Sequence, residues 1–175
     1  MVARLWKKPD TFIVAAIFLS SLVLHVLTSA KTVTFSDSGD FLMAIAGTGN
    51  CHGPGYPMFI MVSKLFSRVF PVGSLAFRVS VLSGLFASIA GCLIYLSVFR
   101  MTRSRLGGAV AAAAFLFSYT FWYQTVIPET YGLNVFFFTL LLALMLRWER
   151  QLGEGHRESA DNTLALFALV FGLAL

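Results

Sequence analysis

Four stretches of this chain are apolar over enough consecutive residues to cross a lipid bilayer, and this constrains the fold more than any other feature. They run from Phe12 to about Ser29, from about Leu75 to Phe99, from about Leu106 to Ile127 and from Tyr131 to about Trp148. A fifth apolar run, Thr163 to Leu175, would rise about 20 Å as a helix, short of a hydrocarbon core about 30 Å thick. The expected fold is therefore all-α, a polytopic transmembrane helical bundle. Residues 1–175 read as the N-terminal part of one transmembrane domain whose fifth span, 163–175, is incomplete. Hydrophobic residues make up 58% of the chain and charged residues 12%, a balance outside the range of soluble domains. Mean hydropathy is +0.80.

The net charge of +5, from 13 basic and 8 acidic residues, would point to nucleic acid in a soluble protein. Here the cations cluster between the apolar runs, where they report topology, and no nucleic-acid partner is expected. With alternating spans, Arg4, Lys7, Lys8, Arg100, Arg103, Arg105, Arg147, Arg150 and Arg157 fall on one side, and Lys31, Lys64, Arg68 and Arg78 on the other. The excess places the N-terminus in the cytoplasm and the long connection 30–74 outside it. Cys51 and Cys92 form no disulfide framework or CxxC pair.

Within the spans, Ser80, Gly84, Ser88 and Cys92 recur every four residues, a stripe that allows close approach of another helix. His25, near the outer end of the first span, is expected to partner a neighbouring helix. Thr28-Ser29-Ala30 faintly resembles a signal-peptidase site, but cleavage would sever the span from the motif that follows, so an uncleaved anchor is expected. Glu149 to Asp161 reads as a mixed-charge loop.

Most of the chemistry lies in the connection 30–74. Asp37 and Asp40 are three residues apart, so on a helix both carboxylates point the same way. They serve either as helix-capping groups at its N-terminus or as a base and its support. Gly47-Thr48-Gly49-Asn50-Cys51-His52-Gly53 has its third glycine displaced and no preceding strand, so it is not a dinucleotide loop. His52-Gly53-Pro54-Gly55-Tyr56-Pro57 is a proline-fixed turn, with His52 a surface residue, a donor to phosphate or, least favoured, one ligand of a divalent metal. Met58 to Phe70 reads as an interfacial helix, with Met58, Met61, Val62, Leu65, Phe66 and Val69 on one face and Lys64 and Arg68 on another. Lys64, Arg68 and Arg78 either snorkel at the interface or meet an anionic lipid head group or a phosphate. Glu129, between the third and fourth spans, is either a cap of the fourth span or a further member of an outward acidic site.

Three motifs in order carry a resemblance: Asp37-Ser38-Gly39-Asp40-Phe41, then His52 to Pro57, then Pro128-Glu129-Thr130-Tyr131-Gly132-Leu133-Asn134. Together they resemble a family of multi-pass membrane proteins with Asp-Ser-Gly-Glu/Asp and His-Pro-Pro-Gly-Tyr-Pro signatures. That family is related to protein O-mannosyltransferases of the GT-C class of glycosyltransferases. Gly53 stands where the first proline is usual, and Asp40 where Glu is common. The resemblance implies a GT-C-like bundle that takes a sugar, mannose or a related one, from a polyprenyl-phosphate donor and gives it to a protein or glycan hydroxyl outside the cytoplasm. It implies Asp37 as the base and Asp40 as alternate or support. His52, Tyr56, Lys64, Arg68, Arg78 and Glu129 are then candidates for binding substrate or phosphate, with membrane lipids around them, no metal ligand set, and a divalent metal as the one conceivable cofactor.

A transporter or channel is the competing class, but such sites need ionisable groups or broken helices near the membrane midplane. Here the second to fourth spans have uncharged interiors and the acids gather at one mouth. A non-catalytic assembly protein would share the small-residue stripe; Asp37, Asp40, His52 and Glu129 together favour the enzyme.

Overall fold

The computed structural model describes residues 8–53 and 55–174, apart from the side chains of Lys8 and Pro9. Arg4, Lys7, Pro54, Leu175 and the Lys8 side chain lie outside the described residues. Helices follow in the order α1 (Lys8–Thr28), α2 (Ser38–Ala46), α3 (Pro57–Val69), α4 (Leu75–Thr102), α5 (Arg105–Leu116), α6 (Tyr119–Thr125), α7 (Tyr131–Gly153) and α8 (Arg157–Ala174). The described residues form a helical membrane bundle, in which α1 from Asp10, α4 and α7 are each long and apolar enough to span a bilayer.

The bundle is built around α4, which packs against α1, α5 and α7. The small-residue stripe does what its spacing predicts. A Cβ on Gly84 would lie 2.6 Å from the Cβ of His25. One turn on, the Ser88 hydroxyl donates to Ser21 Oγ at 3.0 Å, and the Cys92 thiol reaches the Val14 carbonyl at 3.6 Å. Gly132 of α7 meets the same helix from another side, where a Cβ would lie 2.5 Å from the Ser83 carbonyl oxygen. Without a hydrophobic drive between helices in lipid, such close approaches supply the dispersion contacts that hold the bundle.

The third expected span, 106–127, is not one straight helix. α5 stops at Leu116, Ser118 is extended with ψ 136°, and α6 leaves at 62° to α5. The Ser118 hydroxyl donates to the Phe115 carbonyl at 2.9 Å, occupying an acceptor at the end of α5. By length and composition the two pieces together pass as either a broken fourth span or a re-entrant loop. His25 fits the expected role of interhelical partner: Nε2 lies 3.0 Å from Thr125 Oγ1, and its ring lies 4.3 Å from that of Trp122.

The expected loop 149–161 is also corrected. α7 continues to Gly153, helped by an Arg150–Glu154 pair at 2.8 Å with the favourable i,i+4 spacing. Only residues 154–156 separate it from α8, which begins at Arg157 rather than Thr163.

The bundle has two distinct ends. At one, Asp10 of α1 is fully buried and takes two bonds from Arg105 of α5, 2.6 Å from Nε and 3.3 Å from Nη2. At the other, the Ala30 amide donates to the Val126 carbonyl at 2.8 Å, bringing the connection after α1 beside the one before α7. α2 and α3 lie between α1 and α4 in sequence and pack together over a cluster of Phe41, Leu42, Ile45, Phe59, Ala76, Val79 and Leu133. α3 turns Phe59, Ser63 and Ser67 inward and leaves Met61, Leu65 and Val69 exposed. The apolar stripe thus faces outward, the arrangement of a helix lying in a membrane interface.

Candidate active site

The site forms at the end of the bundle that carries α2. Asp37 is the N-cap residue of α2, yet its side chain makes no capping hydrogen bond. The capping hydrogen bond is therefore not made at this residue, although Asp37 as N-cap and Asp40 at the third helical position still complement the dipole of α2. Its carboxylate faces His52, with Oδ2 3.6 Å from Nε2, while Oδ2 of Asp40 lies 3.3 Å from Nδ1 of the same ring. At these separations the interactions are electrostatic rather than tight hydrogen bonds. All three side chains remain about half exposed, so the group is open to a substrate.

Local backbone chemistry brings His52 back over α2. Gly47, with φ 81°, ends the helix by donating to the Ala44 carbonyl. The turn then closes through the Gly55 amide to the His52 carbonyl at 2.9 Å, and Tyr56 takes up the left-handed region at φ 45° before Pro57 opens α3. Non-glycine residues occupy that region at a cost of about 1 kcal/mol or more. Phe41, fully buried, is the floor: the Tyr56 ring stands edge-on to it at 5.3 Å and the His52 ring lies 6.1 Å away. The dipeptide Asp40-Phe41 contains both carboxylate and floor, but only packing reveals the second role.

Glu129 approaches from the opposite connection and is only 2% exposed. Its backbone carbonyl accepts from the Ser83 hydroxyl at 3.0 Å, which anchors it to α4. Burial pushes its carboxyl up from the usual range; the nearby charge of Asp37 pushes the same way. The Ser36 hydroxyl and the amides of Asp37 and Thr130 favour the charged form and only partly offset that. Oε1 has no hydrogen-bond partner. Ser36, which the sequence did not single out, sits at φ 76° and links the two acids, contacting Glu129 from the position before Asp37. The field of the three carboxylates also reaches Cys51: burial first, then Asp40, Asp37 and Glu129, raise its thiol, leaving it a poor nucleophile.

The other expected residues divide. Tyr56 touches His52 edge-on at 5.8 Å and also lines an apolar groove of 280 Å³ with Thr130, Asn134 and Phe137. Lys64, Arg68 and Arg78 do not join the carboxylates; they line a separate cavity of 340 Å³ at the far end of α2. Among the described residues no three His, Cys, Asp or Glu side chains converge as a metal-binding set. Asp37 and Asp40 meet through His52, and no step is routed through a divalent ion.

The chain is similar to the "Protein O-mannosyl-transferase TMEM260" of Mus musculus, 36% identical over 160 residues, covering 91% of this chain and 22% of that protein. It is also similar to the "Protein O-mannosyl-transferase tmem260" of Dictyostelium discoideum, 28% identical over 149 residues, covering 84% of this chain and 18% of the other. The chain thus spans about a fifth of the length of these relatives. No solved structure matches it. The family profile described as "Protein O-mannosyl-transferase TMEM260 N-terminal domain" matches residues 37–175, beginning at Asp37 and running through every motif of the site. The chain belongs to the TMEM260 N-terminal-domain family of protein O-mannosyl-transferases.

Proposed function

We propose that this chain forms part of a GT-C-like membrane glycosyltransferase that moves mannose from a polyprenyl-phosphate donor to a protein hydroxyl on the non-cytoplasmic side. The observation that carries this reading is the uncapped Asp37 carboxylate, held beside His52 and Asp40 at an open mouth of the bundle. A group that spends its lone pairs on helix amides is a poor base; one left free to face solvent is available to a substrate hydroxyl.

In the proposed step, the acceptor oxygen attacks the anomeric carbon as its proton passes to Asp37. The bond from that carbon to the phosphate oxygen breaks, with its electron pair leaving on the phosphate. Asp40 holds His52, whose Nε2 faces Asp37, and the Tyr56 hydroxyl meets the departing phosphate. Tyr56 supports this assignment because it belongs both to the site and to the apolar groove. That groove continues past Asn134 and Phe137 to Phe138 and Leu141 on α7, a course suited to a prenyl chain. Glu129 lies buried beside Asp37, and burial, with the charge of Asp37, disfavours its ionised form. The proposed orientation, with this end outside the cytoplasm, rests on the excess of cations on the other side.

The test compares the full-length protein with its Asp37→Asn variant at matched abundance in membranes, measuring transfer of labelled mannose from a polyprenyl-phosphate donor. Loss of general-base help is expected to lower transfer about 10²- to 10⁴-fold. Transfer at the wild-type rate by a correctly inserted Asp37→Asn variant would overturn the assignment.

A further inference from the structure

The cavity lined by Lys64, Arg68 and Arg78 is a site in its own right, and we propose that it binds the phosphate of an anionic phospholipid head group. This inference does not depend on the sugar-transfer reading. Three cations border 340 Å³, together with Ser67 and the Ile45–Gly47 end of α2. No carboxylate forms an ion pair with any of them among the described residues.

Arg78 is already oriented for an anion. Its Nε and Nη2 donate to the Gly73 carbonyl at 3.2 and 2.9 Å, and Nη1 donates to the Ser67 carbonyl at 3.2 Å. Those carbonyls fix the guanidinium without neutralising it, and of its five N–H donors two are left over. Ser67 adds a second sign. The residue is 7% exposed, its hydroxyl has no partner, and it lines the same cavity. A fixed cation, two further cations and an unpaired hydroxyl form a donor set with no carboxylate paired to it, which is what a phosphodiester supplies.

Two geometric facts separate this anion from the leaving group of the transfer step. The carboxylates stand at the start of α2 and the cavity at its end, and a nine-residue helix separates them by about 12 Å. A leaving phosphate is bonded directly to the carbon under attack, so it cannot occupy the cavity while Asp37 serves that carbon. The source of the phosphate follows from the outer surface of α3. Met61, Leu65 and Val69 are 69%, 65% and 76% exposed, in a stripe at four-residue spacing beside Lys64 and Arg68. A helix that lays this stripe among acyl chains holds the neighbouring cations at the head-group level. Lipid, rather than soluble phosphate, is therefore the occupant.

The experiment uses the detergent-solubilised full-length protein and reads retained lipid by native mass spectrometry during titration with phosphatidylglycerol or phosphatidylcholine. Wild type is expected to retain phosphatidylglycerol selectively. The Lys64→Gln/Arg68→Gln variant is expected to lose about 30-fold in that affinity, from two cations near an anionic head group. Lys64 and Arg68 are chosen because Arg78 also braces the turn before α4, so its loss would confound binding with folding. Equal retention of the two lipids by wild type, or undiminished retention by a variant that inserts normally, would overturn the proposal. Displacement of the phosphatidylglycerol by millimolar inorganic phosphate would overturn the assignment to lipid and make the cavity a soluble-phosphate site.

Discussion

Asp10 and Glu129 are both buried carboxylates at ends of the same bundle, and they are handled in opposite ways. Asp10 receives Nε and Nη2 of Arg105, so its charge is matched by a planar fork. Glu129 has no cation within ion-pair distance among the described residues; it has Ser36, two amides and an oxygen with no partner at all. The first arrangement ties the start of α1 to the start of α5 and needs no substrate. The second leaves a carboxyl whose charged state is disfavoured, directly behind the exposed Asp37. One end is built to hold the bundle together, and the other keeps polar groups incompletely satisfied where a reaction is proposed.

The largest effect expected from breaking this contrast is at Asp10. Asp10→Asn removes the charge that Arg105 addresses and leaves a buried amide facing a cation. Because Arg105 is 42% exposed, water recovers part of the loss, and the melting temperature of the protein in detergent is expected to fall by about 5 °C. Under the proposed function, sugar transfer per folded molecule of the full-length protein should be unchanged. A variant that melts with the wild type would show that the pair is not a lock.

The contrast was only half legible in the sequence. Long apolar runs announce spans, because lipid forces the backbone to satisfy its own hydrogen bonds, and the runs at Phe12, Leu75 and Tyr131 became α1, α4 and α7. The bend between α5 and α6 was hidden: hydropathy does not register one serine, and the direction α6 takes is set by His25 meeting Thr125 and Trp122 from α1. In the same way, Asp37 and Asp40 were visible as a pair, but whether Asp37 would cap α2 or face His52 depended on a loop that returns twelve residues after Asp40. Ser36 carried no signal, since its significance is a positive φ and a contact with a residue far along the chain. Asp10 follows Lys7 and Lys8 in the sequence, and nothing local pointed to Arg105.

Glu129 offers a sharper and smaller test. Its folded-state pKa is raised, mainly by burial, so the folded protein holds this proton more tightly than the unfolded chain does. The resulting stability is fully present below the ordinary glutamate range and is lost as pH rises through the folded value. Glu129→Gln removes that titration. The variant's melting temperature relative to wild type is therefore expected to increase as pH is raised from about 4 to about 8. A pH-independent difference would mean that Glu129 ionises without penalty and that its resemblance to Asp10 is closer than its surroundings imply.

The smallest effect is at Ser36, where two contributions can be separated by two substitutions. Ser36→Gly removes the hydroxyl but relieves the left-handed backbone at φ 76°; Ser36→Ala removes the same hydroxyl and keeps the strain. The glycine variant is expected to be the more stable of the two by about 1 kcal/mol, measured by thermal melting in detergent. Both variants lose a donor that favours the charged form of Glu129, so both should shift its titration further upward and extend to higher pH the range in which stability is retained. If alanine and glycine melt alike, the backbone at Ser36 stores no strain. If the titration stays where it was, Ser36 does not govern the charge on Glu129, and the link between the buried acid and Asp37 runs through the amides of Asp37 and Thr130 alone.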